Sequence, residues 1–471
     1  MSIENSKRRQ FFWIILAVAC GTYLLSFRPI VALIAYGTFD DANYLNWAAR
    51  FVGETFPLPE GTSASFMPGS ALAWLPAALI AKLCHVIFQA DFLLALVILV
   101  GTLNYLYWVF SFVVVLRIFQ NVESGLIKKY SKHLWLLSLL FIHTVPVLYY
   151  STHRGTLVHS PELFFSLLLI RAVQEQRLNL AGCTSTLLGL LRLNDIFGMV
   201  VVFFASRRKE NKTSSFKLGL VIGSVFVLLF GLLLWFAFIK GYNHLALPEL
   251  LRHLAGRNGQ YFIKRSEELF FGGDWGLFWT APWWLFIAFV GLFRVKVLSW
   301  VSRACLAWMF SVLFLCFVWI GNGSDFGYRY LIGSYAAALY VWLELIGTFR
   351  RPQAFFRGSV AILSLNALWV FWLGWIYKEA AAFTPVVNSK GFWIFPHLQV
   401  NSFDALFIFP NYFLPLRHSP VAAVYVTWAQ PQSDLAFKMG MADPRFGLTL
   451  FLIVLALVGI VTSIAFLVRR K

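Results

Sequence analysis

Two adjacent carboxylates, Asp40 and Asp41, stand just after the first long apolar run, inside Tyr36-Gly-Thr-Phe-Asp-Asp-Ala-Asn-Tyr-Leu-Asn-Trp-Ala-Ala-Arg50. Acidic residues occupy only 21 of 471 positions, so a pair at the edge of an apolar segment needs a chemical reason. Two carboxylates in contact cannot both ionise freely. One then titrates high, which suits a general base working near neutral pH. The same oxygens could instead ligate a divalent cation, magnesium or manganese, and the residues alone do not choose. A plainer role is to N-cap a helix starting near Ala42, which accounts for one carboxylate but poorly for two. On a helix from Asp40, positions 40, 44, 47 and 51 share a face, stacking Asp40 with Tyr44, Trp47 and Phe51. Asp41 is rotated toward Leu45 and Ala48. A carboxylate at the head of an aromatic stripe can present a base beside a sugar or lipid; an amphipathic interfacial helix has the same pattern.

Cations form the second set of candidates. Arg192-Leu-Asn-Asp195 interrupts the apolar stretch between Leu187 and Ala205, either as a buried Arg–Asp pair or with Arg192 facing a phosphate. The segment Pro248–Arg265 holds Arg252, His253, Arg257, Lys264 and Arg265. An anionic partner explains that charge, and so does snorkelling toward anionic headgroups. His153-Arg154 and His159 cluster at a turn with Glu162 one turn further on, and His159 reads as a helix-end polar residue. Gly323-Ser-Asp-Phe-Gly-Tyr-Arg-Tyr-Leu-Ile332 sets Arg329 and Tyr330 at a helix mouth. An arginine there opposes the helix dipole, so an anion is expected nearby, with Asp325 the simplest supplier.

The elements that must position these groups are written in the composition. Hydrophobic residues make up 59% of the chain and charged residues 13%, which places it in the membrane class. Apolar runs of about 18–25 residues recur, each long enough to cross a hydrocarbon core. The first, 11–35, follows Lys7-Arg8-Arg9, is too long for a signal-peptide core and reads as an anchor. The net charge of +18 is concentrated between the runs, at Lys7–Arg9, Lys128/Lys129/Lys132, Arg207-Arg208-Lys209, Arg294/Lys296, Arg350-Arg351 and Arg469-Arg470-Lys471. That is the positive-inside pattern, so these clusters mark cytoplasmic loops, both termini lie inside, and nucleic-acid binding is disfavoured. The five cysteines are widely spaced in or beside apolar runs and suggest neither a disulfide framework nor a zinc site.

The expected architecture is an all-α polytopic membrane protein of about 12 transmembrane helices, with 11–14 compatible with the pattern. Spans fall near 134–150, 156–172, 180–192, 195–206, 216–240, 276–293, 301–320, 331–348, 358–377 and 446–468. The stretch 66–118 reads as two apolar runs, although the charge pattern asks for an odd number of crossings there. The longer loops, 36–66, 241–275, 321–330 and 378–445, fall on the outer face, and a chain built so is expected to work on that face.

Taken in order, these parts resemble the GT-C superfamily of integral-membrane glycosyltransferases, which includes protein O-mannosyltransferases and lipid A aminoarabinose transferases. The resemblance rests on Asp40-Asp41-Ala-Asn-Tyr44 after the first helix, a Pro68-Gly69 re-entry and a short-helix hairpin with Arg192 at its tip. It continues through Phe271-Gly-Gly-Asp-Trp-Gly-Leu-Phe-Trp-Thr-Ala-Pro282 and Phe326-Gly-Tyr-Arg-Tyr-Leu331, so it covers 11–350. The implied organisation is a catalytic transmembrane module at 1–350 and a C-terminal transmembrane region at 351–471 that holds the 378–445 loop. The pair is Asp-Asp where Asp-Glu is also common in the family. A Trp-Trp-Asp acceptor signature of oligosaccharyltransferases is not found, which disfavours peptide asparagine glycosylation.

The resemblance implies transfer of a sugar from a polyprenyl-phosphate carrier to a lipid, glycan or protein acceptor, with inversion. Asp40 or Asp41 would be the base. Tyr44, Arg154, Arg192, Arg257, Lys264, Arg265, Arg329 and Tyr330 would line the donor and its phosphate. The setting would be a bacterial inner membrane, with the site on the outer face. The competing class is a polytopic transporter or lipid-linked sugar flippase. A membrane scaffold would leave the acidic pair and the basic outer loop without a role.

Overall fold

The computed structural model describes residues 39–56, 69–122, 133–152, 156–207, 277–319 and 329–382, together with isolated positions at 127 and 130 and short pieces within 263–270 and 386–394. The expected spans at 11–35, 216–240 and 446–468 lie outside the described residues, as do most of the four outer loops.

Among the described residues the architecture is helical. In chain order the helices are α1 (Phe39–Phe51), α2 (Gly69–Phe88), α3 (Phe92–Gln120), α4 (Leu134–Thr144), α5 (Val147–Thr152) and α6 (His159–Gln174). Then come α7 (Leu178–Leu191), α8 (Gly198–Arg207), α9 (Leu277–Thr280), α10 (Pro282–Phe293), α11 (Trp300–Trp319), α12 (Ser334–Thr348) and α13 (Pro352–Ala382). One antiparallel pair of two-residue strands follows, with Val386 opposite Ile394.

Three of these helices are long and apolar enough to cross a membrane: α2, α3 and the Trp300–Phe317 part of α11. At 1.5 Å per residue, the 29 residues of α3 extend roughly 44 Å. The stretch 66–118 therefore holds two continuous helices. The outward side of α2 is apolar, with Leu79, Leu83, Val86 and Phe88 exposed, as a face toward lipid would be.

Prolines set several of the breaks. Val145, before Pro146, is extended (φ −90, ψ 132), because the proline ring disfavours helical backbone in the residue ahead of it, and this separates α4 from α5. Ala281, before Pro282, also departs from helical backbone (φ −137, ψ 40) without becoming extended, and Pro282 starts α10 as a first-turn proline. The break between α9 and α10 strands backbone groups inside the protein, and one residue of α13 takes up two of them. Asn366 Oδ1 accepts from Trp283 N (3.2 Å) while its Nδ2 donates to the Thr280 carbonyl (3.2 Å). Pro76 inside α2 also disturbs the local ladder, and the Tyr107 hydroxyl of α3 donates to the Ala73 carbonyl at 2.8 Å.

The α6–α7 turn closes as a Schellman motif without glycine. Gln176 takes the left-handed conformation (φ 55), and Arg177 N donates to Ala172 O at 2.8 Å. Packing centres on α6, which lies against α3, α7 and α12; α1 packs on α2, and α13 on α4, α10 and α12. Aromatic rings join these layers: Phe141 meets Trp283 edge-on (5.7 Å), Trp283 meets Trp342 (5.9 Å), and Phe356 stacks on Trp342 (5.9 Å).

Candidate functional site

Asp40 and Asp41 lie in the first turn of α1, and their side chains are outside the described set. The helix they head is well placed in the bundle. Ala42, Leu45, Ala48 and Ala49 are fully buried and form the inner face of α1. The expected stripe of 44, 47 and 51 is graded rather than uniform. Tyr44 is buried edge-on to Trp74 (6.2 Å), Trp47 is half-buried and Phe51 is 48% exposed.

The re-entry at Pro68-Gly69 has a steric reason. A Cβ at Gly69 would stand 2.3 Å from the Leu190 carbonyl carbon and 2.4 Å from Leu191 N. The first residue of α2 therefore rests on the bare backbone of the last turn of α7, immediately before Arg192. Ser70 Oγ adds a long contact to the Tyr44 carbonyl (3.5 Å). Through these contacts the start of α2, and with it the Tyr44 carbonyl of α1, is set beside the end of α7.

Arg192 is extended (φ −151, ψ 129) and buried, between α7 and a 3-10 turn at Leu193–Phe197. Its partner differs from the Arg192–Asp195 pair that adjacency suggests. Nη1 donates to Glu162 Oε2 at 3.2 Å and lies 3.0 Å from His159 Nδ1. The tight turn swings Asp195 the other way, toward Gly333, where a Cβ would stand 2.3 Å from Asp195 Oδ1. Gly333 has helical angles (φ −59, ψ −38), so glycine is needed there for space, not for backbone freedom. Asp195 is fully buried.

Glu162 is fully buried in the first turn of α6. Besides Arg192 it contacts His159 Nδ1 (3.0 Å), and its Oε1 accepts from Gly333 N at 3.1 Å. His159 is thus more than a helix-end polar residue: it is buried, 4.4 Å ring to ring from Tyr150, and shared between an acid and a cation. One ring nitrogen cannot both donate to Glu162 and accept from Arg192, so Nδ1 is where the cluster must choose a proton arrangement.

The last side of the site is the 3-10 turn Arg329–Leu331. Tyr330 carries two cations: the Arg192 guanidinium lies 4.5 Å from its ring centre and that of Arg329 5.3 Å. Arg329 Nη2 also reaches the Tyr330 hydroxyl at 3.5 Å. Three of the predicted site residues, Arg192, Arg329 and Tyr330, are therefore brought together, while Tyr44 packs on Trp74 of α2. Lys264 is exposed, while Arg154, Arg257 and Arg265 lie outside the described residues. Among the described residues no group of three or more His, Cys, Asp and Glu side chains is arranged to hold a metal ion.

No protein-family model matches the chain, and no curated protein matches it. Among solved structures it is similar to the archaeal oligosaccharyltransferase AglB from Archaeoglobus fulgidus, in complex with an inhibitory peptide and a dolichol-phosphate, with 12% sequence identity and a TM-score of 0.37. The match covers 94% of this chain and 60% of that one, so the chain spans about three fifths of that structure's length.

Proposed function

We propose that the protein is an integral-membrane glycosyltransferase that moves a sugar from a polyprenyl-phosphate carrier to an acceptor hydroxyl on the outer face. The observation that carries this reading is the convergence of two guanidiniums, Arg192 and Arg329, on the ring of Tyr330, at 4.5 and 5.3 Å from its centre. The acidic pair lies in the first turn of α1, which packs on α2, and the first residue of α2 rests on the peptide just before Arg192.

The chemistry follows from that arrangement. A carboxylate of Asp40 or Asp41 takes the proton of the acceptor hydroxyl as its oxygen bonds to the anomeric carbon. The bond from that carbon to the phosphate oxygen breaks on the opposite side, and its electron pair leaves with the phosphate, so the configuration inverts. Phosphate is a stable leaving anion, and Arg192 and Arg329 offset its added charge in a partly dry site. The acceptor is a lipid, glycan or protein. The topology belonging to this proposal has about 12 crossings, both termini cytoplasmic and a bacterial inner membrane as its setting.

The test is sugar transfer by the purified chain with Asp40→Asn and Asp41→Asn made separately. At least one change is expected to abolish transfer while carrier binding persists. Full activity in both single variants and the double variant overturns the role of the pair. Exhaustive chelation is expected to leave transfer intact if a carboxylate acts as a base; loss restored by magnesium or manganese would assign the pair to a cation instead. The buried cluster of Glu162, Arg192 and Asp195 within apolar helices is the observation that favours a transporter or flippase. Translocation of a lipid-linked sugar in vesicles, lost in Arg192→Ala and kept in the Asp variants, would select that alternative.

A further inference from the structure

We infer that Glu162 is a positioning residue for the phosphate-binding wall, its single carboxylate fixing Arg192 against the turn that carries Arg329 and Tyr330. The inference rests on the transferase reading above and names the regulator of its geometry. Oε2 holds the Arg192 guanidinium at the end of α7 (3.2 Å), and Oε1 holds the backbone N–H of Gly333 (3.1 Å), four residues past Arg329. The two tethered segments are far apart in sequence and belong to different helices, whereas Glu162 sits on α6, which packs against both α7 and α12. Its side chain is fully buried, so contact with a phosphate is not its task.

A second account of the same contacts must be separated from this one. A buried carboxylate beside an arginine also quenches its charge, and quenching opposes the capture of a second anion. The two roles predict opposite signs. If Glu162 only quenches, removing its charge strengthens phosphate binding. If it positions, removal lets the long Arg192 side chain leave the Tyr330 ring, now 4.5 Å from its guanidinium, and binding weakens despite the gain in positive potential.

The experiment uses the full chain in nanodiscs of neutral phospholipid, titrated with undecaprenyl phosphate. Glu162→Gln is expected to weaken binding about tenfold, and Glu162→Asp, which keeps the charge, to weaken it less. In an Arg192→Ala background Glu162→Gln is expected to add no further loss, because the two changes remove one interaction. Unchanged or tighter binding by Glu162→Gln overturns the inference, as does a loss that is additive with Arg192→Ala. Should Glu162→Gln not fold, Glu162→Asp carries the same cycle and is judged by the same additivity. Arg192→Ala alone separates the two levels. If it binds the carrier like the parent chain, the phosphate wall and the role of Glu162 both fall; if it binds weakly while Glu162→Gln does not, the inference alone fails.

Discussion

Gly69 rests directly on the peptide backbone joining Leu190 to Leu191, where a Cβ would come within 2.3 Å of a carbonyl carbon. The contact ties the start of α2 to the residue before Arg192, and Ser70 next to it reaches the Tyr44 carbonyl of α1. Neither partner is a flexible side-chain tip, so an added methyl must push a helix aside. Gly69→Ala is expected to cost about 1–3 kcal/mol as an overpacking change. It should also impair transfer more than carrier binding, since it displaces α1 and α2 from the arginines. Thermal unfolding together with separate kcat and KM values checks this; an unaltered Tm and kcat would refute the close approach.

The contact between Gly333 and Asp195 has a different partner and a different remedy. Gly333→Ala meets the Asp195 carboxyl, and the resulting loss is expected to shrink in an Asp195→Ala background. Asp195→Ala alone should be neutral to stabilising, because it removes a fully buried carboxyl from an apolar interior. Melting temperatures of the two single variants and the double variant give the coupling. Strict additivity would mean that the two residues do not meet.

Tyr330 offers its ring to two guanidiniums and its hydroxyl to one of them. Tyr330→Phe retains the ring and should keep carrier affinity within about threefold. Tyr330→Leu removes both cation–π contacts, each worth about 0.5–2 kcal/mol, and should lower affinity about tenfold or more. Equal losses in the two variants would shift the role from ring to hydroxyl.

Far from the site, Glu175 binds three neighbours: Asn121 Nδ2 (3.0 Å), Arg171 Nε (2.8 Å) and Arg177 Nε (3.1 Å). Partial burial pushes this carboxyl up, but the hydrogen bond and charge of Arg171, the charge of Arg177 and the hydrogen bond from Asn121 outweigh it and hold the group below its ordinary value. A depressed folded-state pKa adds stability above the unfolded value of about 4.3 and loses it as pH falls through the folded value. The Tm advantage of the parent chain over Glu175→Gln should therefore be present at neutral pH and close on acidification below about pH 4.3. A gap that stays constant with pH would show that the ion contacts contribute nothing.

Helices were legible in the sequence wherever apolar length and prolines punctuated the chain. The hairpin expected at 180–192 and 195–206 is found as α7 and α8 around a 3-10 turn, and the two runs of 66–118 are α2 and α3. The role of Gly69 was visible only as a Pro-Gly signal, because the backbone it touches lies far along the chain. Of the two readings open for Arg192, the pair with Asp195 is not formed: Asp195 is three residues away, but the intervening turn sets it against Gly333, and the acid on Arg192 is Glu162. Glu162 was the larger omission. The signal was present, an acid inside the apolar run at 156–172, and an ionisable group there demands a partner. Which cation and which N–H it meets depends on tertiary packing that local spacing does not encode.

Asn366 gives the second half of the chain a duty that its apolar composition conceals. The Thr280 carbonyl and the Trp283 N–H face the interior because Pro282 has broken their helix, and both end on this one amide. A chain cut at residue 350 would leave them in an apolar interior with neither this partner nor free access to water, at a cost of several kcal/mol for the pair. The region after 350 therefore acts as a keystone for the helices before it, and the N-terminal part should not be separable as an autonomous folding unit.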